Sequence, residues 1–586
     1  MTTLFGQSIL KARASLFSFI LIFPILLTAC GGGGSSAPPS GGGGVTPPPV
    51  QQVSKAFKTA PSTQRFLSRA TFGAKPGEIE ALTDTEASDW ILAEFSKQPT
   101  HYLPRILEQI EALPQGEMLF ADSLGYLYFD EAIAGDDQLR QRMVLALSEI
   151  IVVSSNSTLD DFPESMAHYV DILSDNAFGN YRDLLEEITY SPAMAAYLTY
   201  LANEKGDAAT GRMPDENYAR ELLQLFTIGL NELNMDGSLK TDGQGDAIET
   251  YDNTDITGLA KVFTGMSTQG SNFYGIFNDD TGLYLPLVVF PNFHSDLEKN
   301  FLGITIPAGT SGEESIDLAL DAIFEHPNMA PFFSRQLIQR FVTSDPHPTY
   351  VARVAAVFEA GSYVLPDGRS VGTGRRGDLK ATLAAVLFDV QALQDPATAP
   401  DSFGKVREPM IRFIGWARAF GETTPDAADE FFLQNATFGL GQHPFRPNSV
   451  FNFFRPGYVA PGTETGAAGL TAPELQIVNE STAISYINFM NAFIYDFSPT
   501  ESDDPDGGVN GDYTRQIGLA DDAAALIADL DLILTGNQLN TETKDRMVEI
   551  MNEIPIGVDS ADEDRFSRVL VAITMVMTTP EYLVQR

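Results

Sequence analysis

The sequence predicts a mainly all-α protein: a large multi-helix globular body that follows a signal peptide and a disordered linker. Apolar residues recur at helical spacing in many segments, whereas the long alternating patterns typical of strands are scarce. Proline and glycine stand at the two ends of several of these segments, as expected for helix boundaries. The composition, with 44% hydrophobic and 20% charged residues, is that of a globular protein.

The first thirty residues have the pattern of a bacterial lipoprotein signal peptide. Two basic residues precede an apolar run at 16–27 that is too short to span a bilayer stably, and Leu-Thr-Ala-Cys follows. This ending resembles a lipobox, which implies removal of residues 1–29 and acylation of Cys30. Glycine at position 31, directly after the cysteine, resembles the sorting signal of lipoproteins that are transported to the outer membrane. We therefore expect a cell-envelope protein anchored in the outer membrane through the lipid on Cys30; a plain secretory signal is the alternative.

A tether rich in glycine, serine and proline occupies residues 30–53. This composition cannot bury apolar surface, so the tether is expected to be flexible or extended. The body at 54–586 is long enough for one large helical domain or for two sub-domains, and a sub-domain boundary would fall near 395–402.

Within the body, apolar stripes at helical spacing predict a series of helices. The best-defined examples, two of which have proline near the start, are 215–228, 331–342 and 407–420. Two further segments, 541–554 and 566–577, predict a closing pair of helices. The best strand candidates are 284–290 and 304–306, so we expect at most one small β-hairpin near 283–306.

The charge balance and the cysteine count exclude several classes of protein. The chain has 37 basic and 78 acidic residues, a net charge of −41, and such a surface repels nucleic acid. A single cysteine permits neither an internal disulfide nor a cysteine-based zinc site. The sequence also contains no motif of a serine hydrolase, a nucleotide-binding loop or a haem attachment site. Nothing in the sequence requires a cofactor.

Four polar residues form one ridge on the predicted helix at 215–228. Asn217, Arg220, Glu221 and Gln224 are spaced three or four residues apart, on the side opposite the apolar stripe. A solvated helix face is the ordinary interpretation of such a ridge. In the alternative, the ridge lines a cleft, in which Glu221 would act as a general acid or base and Arg220 would hold an anion.

Basic residues are concentrated at 335–380 and 400–420, although the chain as a whole is acidic. Arginine suits bidentate binding of carboxylate, sulfate or phosphate, but it also pairs with a protein's own carboxylates. Both interpretations stay open. The ligand-binding candidates, to which the ridge contributes Asn217, are Asn217, Lys299, Arg335, Arg340, Lys380, Lys405 and Arg407.

His294 and an acidic loop are the remaining candidates for chemistry. His294 lies among carboxylates and could assist Glu221, but the six histidines include no closely spaced pair, so we predict no histidine-based metal site. The loop at 503–512 resembles half of a calcium loop and lacks the closing glutamate. A solvated loop is the alternative to Ca²⁺ there; the oxygen ligands would be Asp503, Asp504, Asp506 and Asp512.

Several motifs in a fixed order resemble a known bacterial family, called domain of unknown function 1800. The matching segments span about residues 62–586 and include 65–73, 217–229, 255–265, 294–303, 326–343, 404–409 and 580–583. Two positions depart from the family pattern: Met266 stands where tryptophan is usual, and Ser295 where aspartate is usual. The second departure puts a His–Asp pair at His294 in doubt unless Asp296 substitutes.

The resemblance implies an exported protein without an established activity. Genes of this family often neighbour those of a second uncharacterised family, related to alkaline phosphatases and sulfatases. We therefore expect a non-catalytic partner or scaffold for an exported phosphatase-like or sulfatase-like protein. The alternative is an enzyme or binder that acts on an anionic extracellular or envelope glycan through a cleft of Arg220, Glu221 and His294.

Overall fold

A computed structural model describes residues 56–270, 272–275, 280–421, 439–495, 511–558 and 561–586. The predicted signal peptide, Cys30 and the predicted tether lie outside these residues, as do Asp503, Asp504 and Asp506. Residues Pro49–Arg586 form one compact unit. Its described residues share one hydrophobic core, so we expect this unit to fold without residues 1–48.

The body is built mainly from α-helices, as the sequence predicts. Their bounds are Ala60–Ala70, Glu78–Leu82, Ala87–Ser96, Leu103–Ala112, Asp122–Ala134, Gln138–Ser148, Pro163–Asn176, Tyr181–Thr189, Pro192–Tyr197, Asn217–Glu221, Asn253–Ala260, Gly312–Phe324, Met329–Phe341, Pro348–Ala360, Leu379–Leu387, Pro409–Phe420, Glu464–Ala467, Glu480–Tyr495, Thr514–Ile517, Ala523–Leu530, Thr541–Glu553, Ala561–Met577 and Pro580–Leu583. Short 3₁₀ turns lie at Thr158–Asp161, Asp280–Leu283 and Pro473–Ile477. Two segments are π-helical, Leu222–Thr227 and Asp531–Thr535.

Strands are short and occur in antiparallel pairs. The pairs are Met266–Ser267 with Val288–Val289, Lys299–Phe301 with Ile304–Ile306, Tyr363–Val364 with Ser370–Val371, and Lys405–Val406 with Val584–Gln585. The second pair is the small hairpin expected near 283–306. The strand candidate at 284–290 contributes only two residues, and they pair with Met266–Ser267 outside that hairpin.

Two helices at the centre of the body position the site described below. Every residue of Gln138–Ser148 is buried, including the charged side chains of Arg140 and Arg142, so this helix must supply partners for polar groups as well as apolar contacts. Helix Met329–Phe341 packs against Pro348–Ala360 and Leu379–Leu387. The end of the chain closes over the same region, because the side-chain amide of Gln585 donates to the carbonyl of Phe341 at 2.8 Å.

The predicted helix at 215–228 is present, but its second half has a different geometry. Asn217–Glu221 is α-helical and continues as the π-helix Leu222–Thr227. The Thr227 hydroxyl donates to the carbonyl of Leu222 at 2.5 Å, five residues back. Such π-helical turns are rare and often occur at functional sites. In the part of the chain that the structure describes, no helix has the length and apolar character needed to cross a bilayer.

Candidate functional site

A pocket of about 480 Å³ opens between the ends of the central helices and an irregular loop at 450–459. This volume is typical of sites for small organic molecules. We call it the Glu149 pocket; it is lined by Glu149, Ile150, Gln224, Leu225, Gly229, Leu230, Phe332, Gln336, Val450, Phe451, Arg455, Pro456, Gly457, Tyr458 and Val459. Glu149 and Gln336 are buried and form its floor, while exposed Leu230, Arg455 and Val459 mark its mouth.

One wall of the pocket depends on how the helix after Asn217 ends. Gln224 and Leu225 belong to the π-helical turn, which brings both to the pocket. Gly229 follows with φ +70, a left-handed conformation that favours glycine. A Cβ at this position would lie 2.6 Å from the ring of Phe332. The glycine therefore allows Phe332 to pack directly against the backbone and form part of the wall.

The opposite wall is the loop at 450–459, which side-chain amides hold in place. Gln339 on helix Met329–Phe341 donates to the carbonyl of Pro456 at 2.9 Å. The backbone amide of Arg455 donates to the side-chain oxygen of Gln476 at 2.9 Å. The Arg455 guanidinium lies over the ring of Phe451, 4.6 Å from its centroid. The loop is thus tied to two helical elements, and its arginine stays at the mouth.

Directly behind the floor lies a group of buried ionisable side chains, which we call the buried charge cluster. Its members come from segments that are far apart in the sequence: Arg142, Glu149, Arg340, Lys405, Glu408 and Glu474. Each is at most 6% exposed. Burying a charge is costly unless it is paired and hydrogen-bonded, so these groups must be positioned together.

Lys405 holds the part of the cluster farthest from the pocket. Its ammonium donates to the carbonyl of Arg340 at 2.9 Å and lies 3.4 Å from Glu408 and 3.5 Å from Glu474. Gln442 donates to the second oxygen of Glu408 at 2.6 Å. The Ser344 hydroxyl donates to Glu474 at 2.7 Å.

The carboxyl group of Glu149 has far fewer hydrogen-bond donors around it than the carboxyl group of Glu408 has. The Nε of Arg340 lies 3.3 Å from one Glu149 oxygen, but among the described residues no N–H or O–H group donates a well-formed hydrogen bond to that carboxyl. Burial raises the pKa of Glu149 well above its ordinary value, and the neighbouring charge of Glu408 raises it further. A proton on Glu149 also turns an acceptor–acceptor contact into a hydrogen bond donated to Glu408. We therefore predict that Glu149 carries a proton at neutral pH.

Glu408 has the opposite protonation state. Burial alone would raise the pKa of Glu408, but the charge of Lys405, the hydrogen bond from Glu149 and the charges of Arg142 and Arg340 together lower it to about 2. Two adjacent carboxyl groups with separated pKa values are a common arrangement for a proton donor and a stabilising carboxylate. Of the two, Glu149 is the residue that lines the pocket, and its carboxyl oxygens are buried.

The structure places the predicted site residues in several locations. Arg340 and Lys405 belong to the buried charge cluster, and Gln224 of the polar ridge lines the Glu149 pocket. Arg407 lies buried nearby, where it donates to the carbonyl of Leu534 at 3.1 Å.

The ridge residues other than Gln224 have local contacts. Asn217 donates to the Thr199 hydroxyl at 3.3 Å, and half-exposed Arg220 lies 3.5 Å from Glu216. Glu221 is buried, and burial raises the pKa of its carboxyl.

His294 and Lys299 belong to a separate buried turn. The Nδ1 of His294 lies 2.9 Å from the carbonyl of Thr264, and Lys299 donates to the carbonyl of Ser295 at 3.0 Å. Burial lowers the pKa of both side chains. Within the described residues, no hydrogen bond or ion pair joins His294 to Arg220 or Glu221.

The remaining predicted residues lie away from the pocket or outside the described chain. Lys380 is half-buried over the ring of Phe95, at 5.6 Å, and Arg335 is half-buried on helix Met329–Phe341. Asp512, the one described member of the predicted calcium ligands, accepts from the backbone amide of Thr514 at 2.9 Å. No group of three potential metal-ligating side chains occurs in the ranges that the structure describes.

Sequence reasoning missed Glu149, Arg142, Glu408 and Glu474. The signal for the first two was available: the segment 139–153 is strongly apolar, yet it contains charged residues that would have to be buried with it. A charge inside an otherwise apolar helix is evidence of a buried partner. For Glu408 and Glu474, spacing along the chain gave no such signal.

The fold and site define a mainly α-helical protein with one compact body and a pocket of small-molecule size backed by buried charges. A family model described as a protein of unknown function (DUF1800) matches residues 65–584, and the chain belongs to this family. Searches of curated proteins and of solved structures found no match.

Removing the central cation should destabilise the body strongly. Lys405→Met leaves Glu408 and Glu474 without their shared ammonium, so we expect the free energy of unfolding to fall by about 3–5 kcal/mol. Arg546→Met, which removes an exposed pair with Glu549, should cost no more than about 0.5 kcal/mol. Chemical denaturation of the two variants measures both values. If the two substitutions lower the free energy of unfolding equally and only slightly, the buried charge cluster does not depend on Lys405.

The protonation of Glu149 predicts a pH-dependent difference. The folded protein keeps a proton that an ordinary glutamate releases near its pKa of 4.5, so the stability gained from this proton is complete below that pH and is lost as pH rises toward the folded pKa. Glu149→Gln mimics the neutral carboxyl at every pH. Its free energy of unfolding, measured by chemical denaturation, should therefore rise relative to that of the unsubstituted protein as the pH increases above about 5, by at most about 1.4 kcal/mol per pH unit.

Glu549→Gln is the matched control for this measurement, because Glu549 is exposed. Its difference from the unsubstituted protein should not change over the same pH range. If the stability difference between Glu149→Gln and the unsubstituted protein is also independent of pH, Glu149 is ionised in the folded protein and the predicted protonation is wrong.

Proposed function

We propose that this protein is a lipid-anchored envelope protein whose body binds a small organic molecule in the Glu149 pocket. One observation carries the proposal: a pocket of about 480 Å³ with mostly apolar walls is backed by the buried side chain of Glu149. A concave and mostly apolar space of this size favours a ligand with an apolar body, and the few polar groups at its edge give orientation. The bound molecule should therefore have an apolar body that fills the pocket.

Acid catalysis is not proposed, because the proton of Glu149 is donated to Glu408 and both carboxyl oxygens of Glu149 are buried. We keep binding as the proposed function, because binding is the step that the pocket supports directly. The glycan cleft of Arg220, Glu221 and His294 has less support, since these residues have separate contacts.

A pocket-filling variant tests the binding proposal. The neutral fluorescent dye N-phenyl-1-naphthylamine should bind the body, residues 49–586, with one site per chain. Val450→Trp places a large ring on the pocket lining and should weaken dye binding by about tenfold or more. Leu239→Trp adds the same ring at an exposed position outside the pocket and should leave binding unchanged.

Two results would overturn the proposal. One is the absence of saturable dye binding to the unsubstituted body. The other is equal weakening by Val450→Trp and Leu239→Trp, which would place the dye on the general surface.

A second candidate function is that of a non-catalytic partner for an exported phosphatase-like or sulfatase-like protein. It is supported by an apolar face on helix Glu480–Tyr495, where Ile484 is 62% exposed and Ile487 and Tyr495 are about 40% exposed. The spacing of these residues puts them on one side of the helix. Exposed apolar patches of this kind often mark protein interfaces.

The phosphatase-like product of a neighbouring gene, purified separately, is the reagent that tests this candidate. It should co-elute with the unsubstituted protein in size-exclusion chromatography, and Ile484→Asp should abolish the complex by placing a charge in the contact. Exposed Val558→Asp is the control, and it should leave the complex intact. Separate elution of the two unsubstituted proteins would contradict the partner function.

A further inference from the structure

Arg455 at the mouth of the Glu149 pocket differs from most arginines of this acidic protein. Arginines elsewhere pair with the surplus carboxylates: Arg353 with Asp389 at 2.7 Å, and Arg376 with Glu359 at 2.9 Å. Arg455 is exposed and stacks on Phe451, and it forms no ion pair with any carboxylate of the described chain. Its guanidinium is therefore held in position with its hydrogen-bond donors available.

The charge behind the floor is favourable to an anion as well. Three buried cations, Arg142, Arg340 and Lys405, face three carboxyl groups, so the cluster carries no surplus of carboxylates. In a chain with a net charge of −41, this local balance and Arg455, which is unpaired within the described chain, create a region where an anion is repelled less than over the acidic surface.

The space between Arg455 and Glu149 is lined mainly by apolar side chains. Ile150, Leu225, Phe332 and Val450 form the walls, and exposed Leu230 extends the apolar surface to the mouth. A ligand that fills this space must have an apolar body. A fully hydrated anion such as phosphate would leave these walls uncovered.

We propose that the ligand is an amphipathic carboxylate, with its apolar chain or ring inside the Glu149 pocket and its carboxylate on the guanidinium of Arg455. The planar guanidinium matches a carboxylate with two parallel hydrogen bonds. Its stacking on Phe451 fixes the orientation of these donors before the ligand arrives. This inference rests on the proposed function, since it specifies the ligand of the same pocket.

A pair of ligands that differ only in the head group tests the inference. Decanoate and decan-1-ol, below their aggregation thresholds, are titrated against body loaded with N-phenyl-1-naphthylamine. Decanoate should displace the dye at a concentration about tenfold lower than decan-1-ol, as expected for a charge-assisted hydrogen bond. Arg455→Gln should remove this preference by weakening decanoate alone, and Arg546→Gln, at an exposed distant site, should leave it unchanged.

The outcomes separate the two proposals. If the dye does not bind at all, the proposed function fails. If the dye binds and is displaced by decan-1-ol as readily as by decanoate, the pocket is correct and the carboxylate inference is overturned. If Arg455→Gln weakens both ligands equally, the arginine shapes the loop at 450–459 and does not bind the head group, which also overturns the inference.

Discussion

The structure depends on the joint burial of six ionisable side chains inside the body. Each of these groups loses several kcal/mol of hydration on burial, and that loss is offset only if all of them reach their partners together. The groups come from helix Gln138–Ser148, helix Met329–Phe341, the strand Lys405–Val406 and its following turn, and the 3₁₀ turn Pro473–Ile477. The cluster therefore fixes the relative positions of segments that are separated by more than three hundred residues.

The same constraint gives the pocket its chemistry. Lys405 and Gln442 satisfy Glu408 and keep it ionised, and the charge of Glu408 in turn keeps the proton on Glu149. Glu149 follows the last turn of a buried helix and lines the pocket, and its carboxyl oxygens are buried behind the pocket surface. The shape of the pocket is set by a π-helical turn on one side and, on the other side, by a loop that glutamine side chains hold in place.

The sequence predicted the helices well because their apolar stripes are long and bounded by proline and glycine. It could not distinguish the α-helical from the π-helical half of 217–227, since both keep similar residues on the buried side. The local excess of bases singled out Arg340 and Lys405, and the structure places both in internal pairs, which is one of the two interpretations that composition left open. Which buried acid meets which base depends on tertiary packing, and neither periodicity nor spacing contains that information. For the same reason the ridge at Asn217 and the turn at His294 were grouped together, although their contacts are separate.

The central claim is that Glu149 carries a proton at neutral pH, and infrared spectroscopy tests it most directly. A difference spectrum between the unsubstituted body and Glu149→Gln, recorded at neutral pH, isolates the vibration of this one carboxyl group. We predict that the unsubstituted protein has a carbonyl band of a protonated carboxylic acid that Glu149→Gln lacks. A difference spectrum that contains only the bands of an ionised carboxylate would contradict the account.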